Sequence, residues 1–496
     1  MSINYMQSSI IQIKGIIKSI IFVSCSPLTR NKENKISMKS IYINIFFSLL
    51  FISSLTAQSA QDLYKEGNEL LKNKQPEQAL TKYNKALETD SNFTFAYMNR
   101  AKAFMELKKW ESGVKDFNKV LEKDSKNADA LIGRGRCKYE LTYFEGAVLD
   151  YTYALELNEK LTAAYYHRGL SLYQVSRYKE SLNDFEKVQE LQDLSLEGSS
   201  DQFLDIWMHL GNCQRMLQNY EIAMTCFEKA LEKTPNNADV YFSRGSAKYS
   251  SKRWEDAILD YSKALQLNPK HVSSAYFRGM SHREMKKYKE ALLDFDLVIK
   301  LDPKLPLGYV TRAFTFADIQ KYKEALKDYD KVLNELTPDD AATYIRRGYV
   351  LVEMGQFEKA VADFSKTILL SELYKPYALN NRADAKRLLK KYDEALSDVS
   401  ESLKLDSLNS WAFMNRGLIY ADQSQFDKAF IDFNRAMELN SQLPNPYFHR
   451  GNLYLKRKQY EKAINDYNKL QELDANFKSK EVEKNKKAAK KGFLAG

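Results

Sequence analysis

The chain has 496 residues, a net charge of +10, and few helix breakers (18 Gly and 10 Pro) against 32 Tyr and 26 Phe. Such a composition excludes a disordered or low-complexity chain and suits packed helices. The charge does not mark a nucleic-acid binder. Residues 1–39 carry six basic residues against one acidic, residues 477–496 carry seven against two, and the body 40–476 is left with no net charge. Nucleic acid requires a basic patch on the folded body.

Residues 1–37 read as an extension outside the fold, because Lys14 and Lys18 interrupt their apolar stretch, and Met38 is the expected start. Residues 38–59 read as a signal peptide or short anchor. Lys39 precedes the uncharged apolar run 41–55, and small residues follow from Thr56 to Ala60, the order of a secretory signal. Fifteen residues are short for a membrane span, which needs about 20. Cleavage is expected near Ala57 or Ser59. The chain is then exported, periplasmic or cell-surface associated; an uncleaved run makes it membrane-anchored instead.

From residue 60 the chain repeats every 34 residues. With the small residue of the first helix set as position eight, that position is Gly or Ala twelve times, from Gly67 and Ala101 to Gly417 and Gly451. Position twenty is small twelve times, from Ala79 to Ala463. Small residues at these points let two antiparallel helices approach closely. Position twenty-four is aromatic from Tyr83 to Tyr467 except at Val399, and position seventeen is aromatic from Trp110 onwards. Pro235, Pro269 and Pro303 close second helices, since proline cannot extend the ladder.

This pattern resembles the tetratricopeptide-repeat (TPR) family over residues 60 to about 475. The resemblance implies an all-α fold, an α-α superhelix: a TPR solenoid of antiparallel helix pairs around a concave groove, whose members bind peptides or protein surfaces. No single repeat buries its own apolar face, so the stack is needed for stability. Repeats one to four occupy 60–192, an inserted loop 193–203, repeats five to twelve 204–475, and a basic capping helix with a tail 476–496. The insertion makes Gly169 to Gly211 eight residues longer than the period. It reads as a surface loop, cheap in closure entropy, with a joint between two sub-solenoids as the alternative. The stretch 477–491 predicts a polar helix that shields the open end of the stack.

One feature departs from the family, which commonly has Leu at position seven. Ten repeats here carry Arg at seven and Asp at twenty-three, from Arg100 and Asp116 to Arg450 and Asp466. The first repeat swaps the charges as Glu66 and Lys82, and the fifth has Leu210 and Cys226. Joint change predicts contact between the two positions.

In the family, first-helix positions two, five, six, nine and twelve line the groove. Position five supplies Met98, Ile132, Tyr166, Met208, Phe242, Tyr276, Val310, Ile345, Met414 and Phe448. Position six supplies Asn99, His167, His209, Asn381, Asn415 and His449. An apolar groove edged by amides and histidines suits an extended peptide or an amphipathic helix. The clamp that some members use for chaperone C-termini is absent from repeats one to three. Asn68 and Asn99 match it, but Tyr64, Asp129 and Gly133 stand where its cations belong, leaving a carboxylate without charge-assisted partners.

Catalysis finds no motif: no GxSxG, HExxH or Gly-rich phosphate loop, and no HPD triplet of a J-domain. The five histidines are dispersed and the four cysteines have no metal spacing. Cys137 and Cys213 share a position that is Ala103, Ser171 or Ala247 elsewhere, the mark of small core residues. The expected protein is a non-catalytic scaffold with no cofactor or metal. Its ligands are proteins or peptides, not nucleic acid, and it meets a membrane only through an uncleaved N-terminal segment. The alternatives are a membrane-anchored import or chaperone receptor, or a regulatory subunit of a separate enzyme.

Overall fold

Each repeat folds as two antiparallel α-helices, typically 13 and 14 residues long, as in Ala128–Glu140 with Phe144–Leu157. The computed structural model describes residues 58–194 and 205–495, and among them there is no strand. The extension 1–37, nearly all of the expected signal segment and most of the insertion lie outside the described residues. The chain divides into two compact parts, one ending at Ser171 and one running from Leu172 to Gly496. The division falls inside the first helix of repeat four, Thr162–Gln174.

A recurring backbone device ends the first helix. Position fifteen has positive φ, between 55° and 72°, in all twelve repeats, and only Gly355 among them is glycine. In repeat six Lys252 N–H donates to the Tyr249 carbonyl at 3.0 Å, and Arg253 N–H to the Lys248 carbonyl at 2.8 Å. These are the two bonds of a Schellman cap, which satisfies the last carbonyls and turns the chain. The position-seventeen aromatic then opens the second helix, as Trp254 does at Trp254–Leu267.

The core is written at positions eight and twenty-four. All twelve position-twenty-four side chains, Val399 included, are fully or almost fully buried. The ring lies against the first helix of its own repeat. A Cβ on Gly348 would stand 2.6 Å from Phe364 Cε1, and one on Gly417 2.7 Å from Phe433 Cε1. Position eight is therefore held small by a ring. Where it is Ala383, the partner has shrunk to Val399, whereas Ala313 keeps the buried Tyr329 ring. Where it is Ala101, the Phe117 ring leans onto the next repeat, so that a Cβ on Gly133 would lie 2.3 Å from its Cζ.

The cysteines obey a similar exchange. Cys137 and Cys213 are completely buried. Cys137 Sγ would stand 2.9 Å from a Cβ on Gly113, the position-twenty residue of the preceding repeat. Cys213 Sγ is 3.3 Å from Ser181 Oγ at the equivalent point. Burial pushes the Cys137 thiol up to about 12 and the Cys213 thiol up to about 11, which leaves them protonated and unreactive.

The Arg–Asp pairs are ion pairs. Within the two parts, nine repeats hold the contact, with N–O distances from 2.5 Å for Arg278–Asp294 to 2.8 Å for Arg416–Asp432. Most are two-pronged: Arg100 Nε and Nη2 each donate to Asp116 at 2.7 Å. A third prong crosses between repeats, as Arg100 Nη1 donates to Asn84 at 2.8 Å and Arg134 Nη1 to Asn118 at 2.8 Å. One guanidinium thus ties its own two helices and the preceding second helix. The aspartates are buried, and burial raises the Asp363 and Asp466 carboxyls while Arg347 and Arg450 pull them back. In repeat five Leu210 and Cys226 fill the same place as buried apolar groups.

Each second helix packs on the next first helix, and successive first helices also touch, whereas successive second helices do not reach comparable contact. Within each part the stack therefore bends toward its first helices. Besides the insertion, the period slips twice by one residue, from Ala313 to Gly348 and from Gly348 to Ala383. The first extra residue is absorbed by a π-helical turn, Val332–Leu336, at the end of a second helix. The second lengthens the next first helix, Lys375–Leu388, to 14 residues, while the turn 371–374 keeps the usual length. After repeat twelve a final helix, Ser479–Ala495, packs on the last pair. It runs through Gly492, Phe493 and Leu494, so the expected tail is helical to Ala495.

Candidate binding face

Eight of the position-five candidates, Met98, Ile132, Tyr166, Met208, Phe242, Tyr276, Val310 and Ile345, are half-buried. Two are not available: Met414 and Phe448 are buried. Met414 belongs to the cluster around Phe433 and Met437. Phe448 is covered by the Phe477 ring, 5.9 Å away, and by Lys478, whose Nζ lies 4.5 Å from its ring centre. The final helix and its lead-in thus close the position that the sequence assigned to a ligand.

Where position six is histidine, it is a packing position. Its side chain rests on the position-twenty-four ring of the preceding repeat: His167 on Tyr151 at 5.9 Å, His209 on Phe185 at 5.0 Å, and His449 on Phe433 at 6.2 Å. Burial lowers His167 to about 4 and His449 to about 3, with nearby cations adding to the effect, so both rings are neutral at pH 7. His209 Nε2 also lies 3.0 Å from Asp205 Oδ2.

The amides are spent on rungs between neighbouring first helices. Asn99 donates to Tyr64 Oη at 3.1 Å and to Asn68 at 2.8 Å. Asn381 donates to Tyr349 Oη at 2.6 Å. Asn415 is buried, with its Nδ2 3.0 Å from Asn380 Oδ1. Asn415 is therefore a rung instead of a groove residue, and the buried Met414 and Phe448 are core residues instead of groove residues.

The large apolar side chains that this face exposes stand at positions two and nine. In the second part Leu307, Phe314, Tyr349, Tyr377 and Trp411 are between 42 and 54 % exposed, across repeats eight to eleven. They are flanked by ion pairs closed on themselves. Arg283 bonds Asp318 at 2.8 Å and lies 4.1 Å from the Phe314 ring centre. Arg387 bonds Asp384 and Asp422, each at 2.9 Å. These residues lie outside positions five and six, from which the candidates were drawn, and their signal in the sequence is a ring or long aliphatic side chain at position two, position nine or both in four consecutive repeats. Among the described residues no three His, Cys, Asp or Glu side chains are grouped to hold a metal ion.

Profiles described as tetratricopeptide repeat match residues 64–128, 341–372, 412–443 and 444–477. A profile of the anaphase-promoting complex (cyclosome) subunit 3 matches 216–294. The chain belongs to the tetratricopeptide-repeat family, whose members are generally non-catalytic scaffolds.

Among solved structures, one similar chain comes from the APC/C hetero-tetramer Cut9–Hcn1, 15 % identical over 88 % of this chain and 98 % of that one, with a TM-score of 0.44. Yeast Tom70 is 19 % identical over 87 % of this chain and 95 % of its own, TM-score 0.41. A tetratricopeptide-repeat protein from Parabacteroides merdae is 19 % identical over 52 % and 99 %, TM-score 0.43. No curated protein matches the chain.

Proposed function

We propose that the chain is an exported, non-catalytic scaffold that holds a segment of a partner protein against the first helices of repeats eight to eleven. The observation that carries this reading is the run of Leu307, Phe314, Tyr349, Tyr377 and Trp411, exposed on one kind of helix face in consecutive repeats. Grouped exposed apolar side chains mark interaction sites. Arg283 and Arg387 are already neutralised by Asp318, Asp384 and Asp422, so the face offers rings beside one exposed cation, Arg346. An amphipathic helix or an extended segment with spaced apolar anchors suits it.

The test is a peptide selected against the purified chain, with its affinity measured on Tyr377→Ala and Trp411→Ala. The reading expects at least a tenfold loss with an unchanged thermal transition. Unaltered affinity in both variants removes it. Export rests on Lys39, the apolar run 41–55 and the small residues after it. N-terminal sequencing of the mature protein should begin near residues 58–60; an intact 41–55 run makes the scaffold membrane-anchored.

A further inference from the structure

The final helix, Ser479–Ala495, has two unlike sides. One side is fastened to the last repeat. Val482 and Ala489 are completely buried. Asn485 donates to Asn452 at 3.0 Å, Lys486 to Gln471 at 2.7 Å, and Gly492 sits under the Tyr460 ring. The other side carries Lys480, Lys484, Lys487 and Lys491, all exposed. Their spacing of four, three and four residues places them within about 60° of one another at ~100° per residue, opposite the buried side. None of the four has an ion-pair partner among the described residues. At the C-terminal end of this row Phe493 and Leu494 are 55 % and 85 % exposed.

We propose that this helix docks the scaffold on a bilayer of anionic phospholipid. A row of unpaired lysines on flexible stems is attracted to an anionic membrane surface. The exposed Phe493–Leu494 pair supplies the apolar group that enters the headgroup region. Nucleic acid fits less well. Single strands are held by aromatic side chains interleaved with cations, and no aromatic residue stands between Lys480 and Lys491. All seven cations of 477–496 are lysine, without the planar fork that reads phosphate and base edges. The body 40–476 carries no net charge, so within the described fold this end dominates the electrostatic attraction. The fastened side means that docking needs no unfolding of the helix.

The test uses the full chain with vesicles of phosphatidylcholine alone or with about a third phosphatidylglycerol. Two readouts are followed: co-sedimentation, and amide hydrogen exchange of the peptide spanning 479–495. The second reports this helix whatever the segment 41–55 does. With anionic vesicles exchange should slow in 479–495, and the effect should vanish with phosphatidylcholine alone or at 0.5 M salt. In Lys480→Gln/Lys484→Gln/Lys487→Gln/Lys491→Gln the anionic-dependent binding should fall at least tenfold. Phe493→Ser/Leu494→Ser should weaken it while preserving its salt dependence. All six side chains are exposed, so neither variant disturbs the fold. The proposal is overturned if the lysine variant binds like the parent, if 479–495 exchanges unchanged on anionic vesicles, or if duplex DNA protects the helix and vesicles do not.

Discussion

The Glu66 carboxylate lies 2.6 Å from Nζ of Lys82, in the place where other repeats set a first-helix arginine against a second-helix aspartate. The anion has moved to the first helix and the cation to the second, and the bond survives the exchange. Lys82 holds the Glu66 carboxyl below its usual range. The swapped pair is more exposed than the Arg–Asp pairs, at 45 % and 32 % of the side chains. A lysine lacks the extra prongs by which Arg100 reaches Asp116 and Asn84 together. The device is thus an angle-setting tie between two helices, reinforced to a neighbour only where it is arginine.

Its coupling is measurable in repeat eleven. Repeat six is a poorer choice, because Lys248 also bonds Asp260 at 2.8 Å and would repel a cation placed there. Arg416→Leu strands the buried Asp432 and should cost about 2–3 kcal/mol, below the ~3–5 of a fully buried pair because the guanidinium is partly exposed. Adding Asp432→Cys reproduces the Leu210–Cys226 pair of repeat five and should recover about 0.5–3 kcal/mol as coupling. Chemical denaturation of the four proteins of the cycle decides it, and strict additivity is the contrary result.

Position eight makes a second prediction. Gly348→Ala drives a Cβ against Phe364, and overpacking of this kind costs about 1–3 kcal/mol, partly offset by ~1 kcal/mol of helix propensity. Phe364→Val alone opens a void. The double variant Gly348→Ala/Phe364→Val copies Ala383 with Val399 and should be more stable than the sum of the single effects implies, in the same denaturation assay.

The twelve repeats were legible because their constraints recur. A ring over a small residue, and a cation across from an anion, leave the same letters every 34 residues. What escaped was set by individual neighbours. Gly133 is small because Phe117 leans on it. Phe448 is shut by Phe477 and Lys478 from the element that follows. The left-handed turn at position fifteen was illegible because Lys, Gln, Ser and Thr stand where glycine would have announced it.

That turn carries a removable strain. Lys252 has φ of 62°, a conformation that costs an L-residue roughly 1–2 kcal/mol. Lys252→Gly relieves it but raises unfolded-chain entropy by about 0.4–1 kcal/mol, so the variant should gain between nothing and about 1.6 kcal/mol. A thermal transition that falls shows that the lysine side chain is needed there.

Acid should loosen repeat four through His167. Its folded value, about 4 through burial, lies below the ordinary ~6.5 of an unfolded histidine. The unfolded chain therefore binds the extra proton between these values, so stability is full above about pH 6.5 and falls as pH drops toward 4, by at most ~1.4 kcal/mol per unit. His167→Asn, which places there the residue of Asn99, should make this limb shallower when unfolding is followed from pH 7 to 4.5, the remainder coming from His449, lowered to about 3. An equally steep limb in the variant assigns the acid sensitivity elsewhere.

The buried and exposed members of the first-helix face should also part company. Met414→Ala and Phe448→Ala remove buried side chains and should cost about 2–5 kcal/mol, whereas Tyr377→Ala and Trp411→Ala should leave stability within about 0.5 kcal/mol. Thermal melting of the four single variants separates them.

The measurement that bears most directly on the scaffold reading is site-specific photo-crosslinking in the producing cell. Benzoylphenylalanine would replace Tyr377 or Trp411 on the first helices, and Leu259 or Ile431, which are 68 % and 67 % exposed on second helices. Discrete protein adducts from 377 and 411, and none from 259 and 431, are the predicted result. Adducts from 259 and 431 alone, or none at 377 and 411, would contradict it.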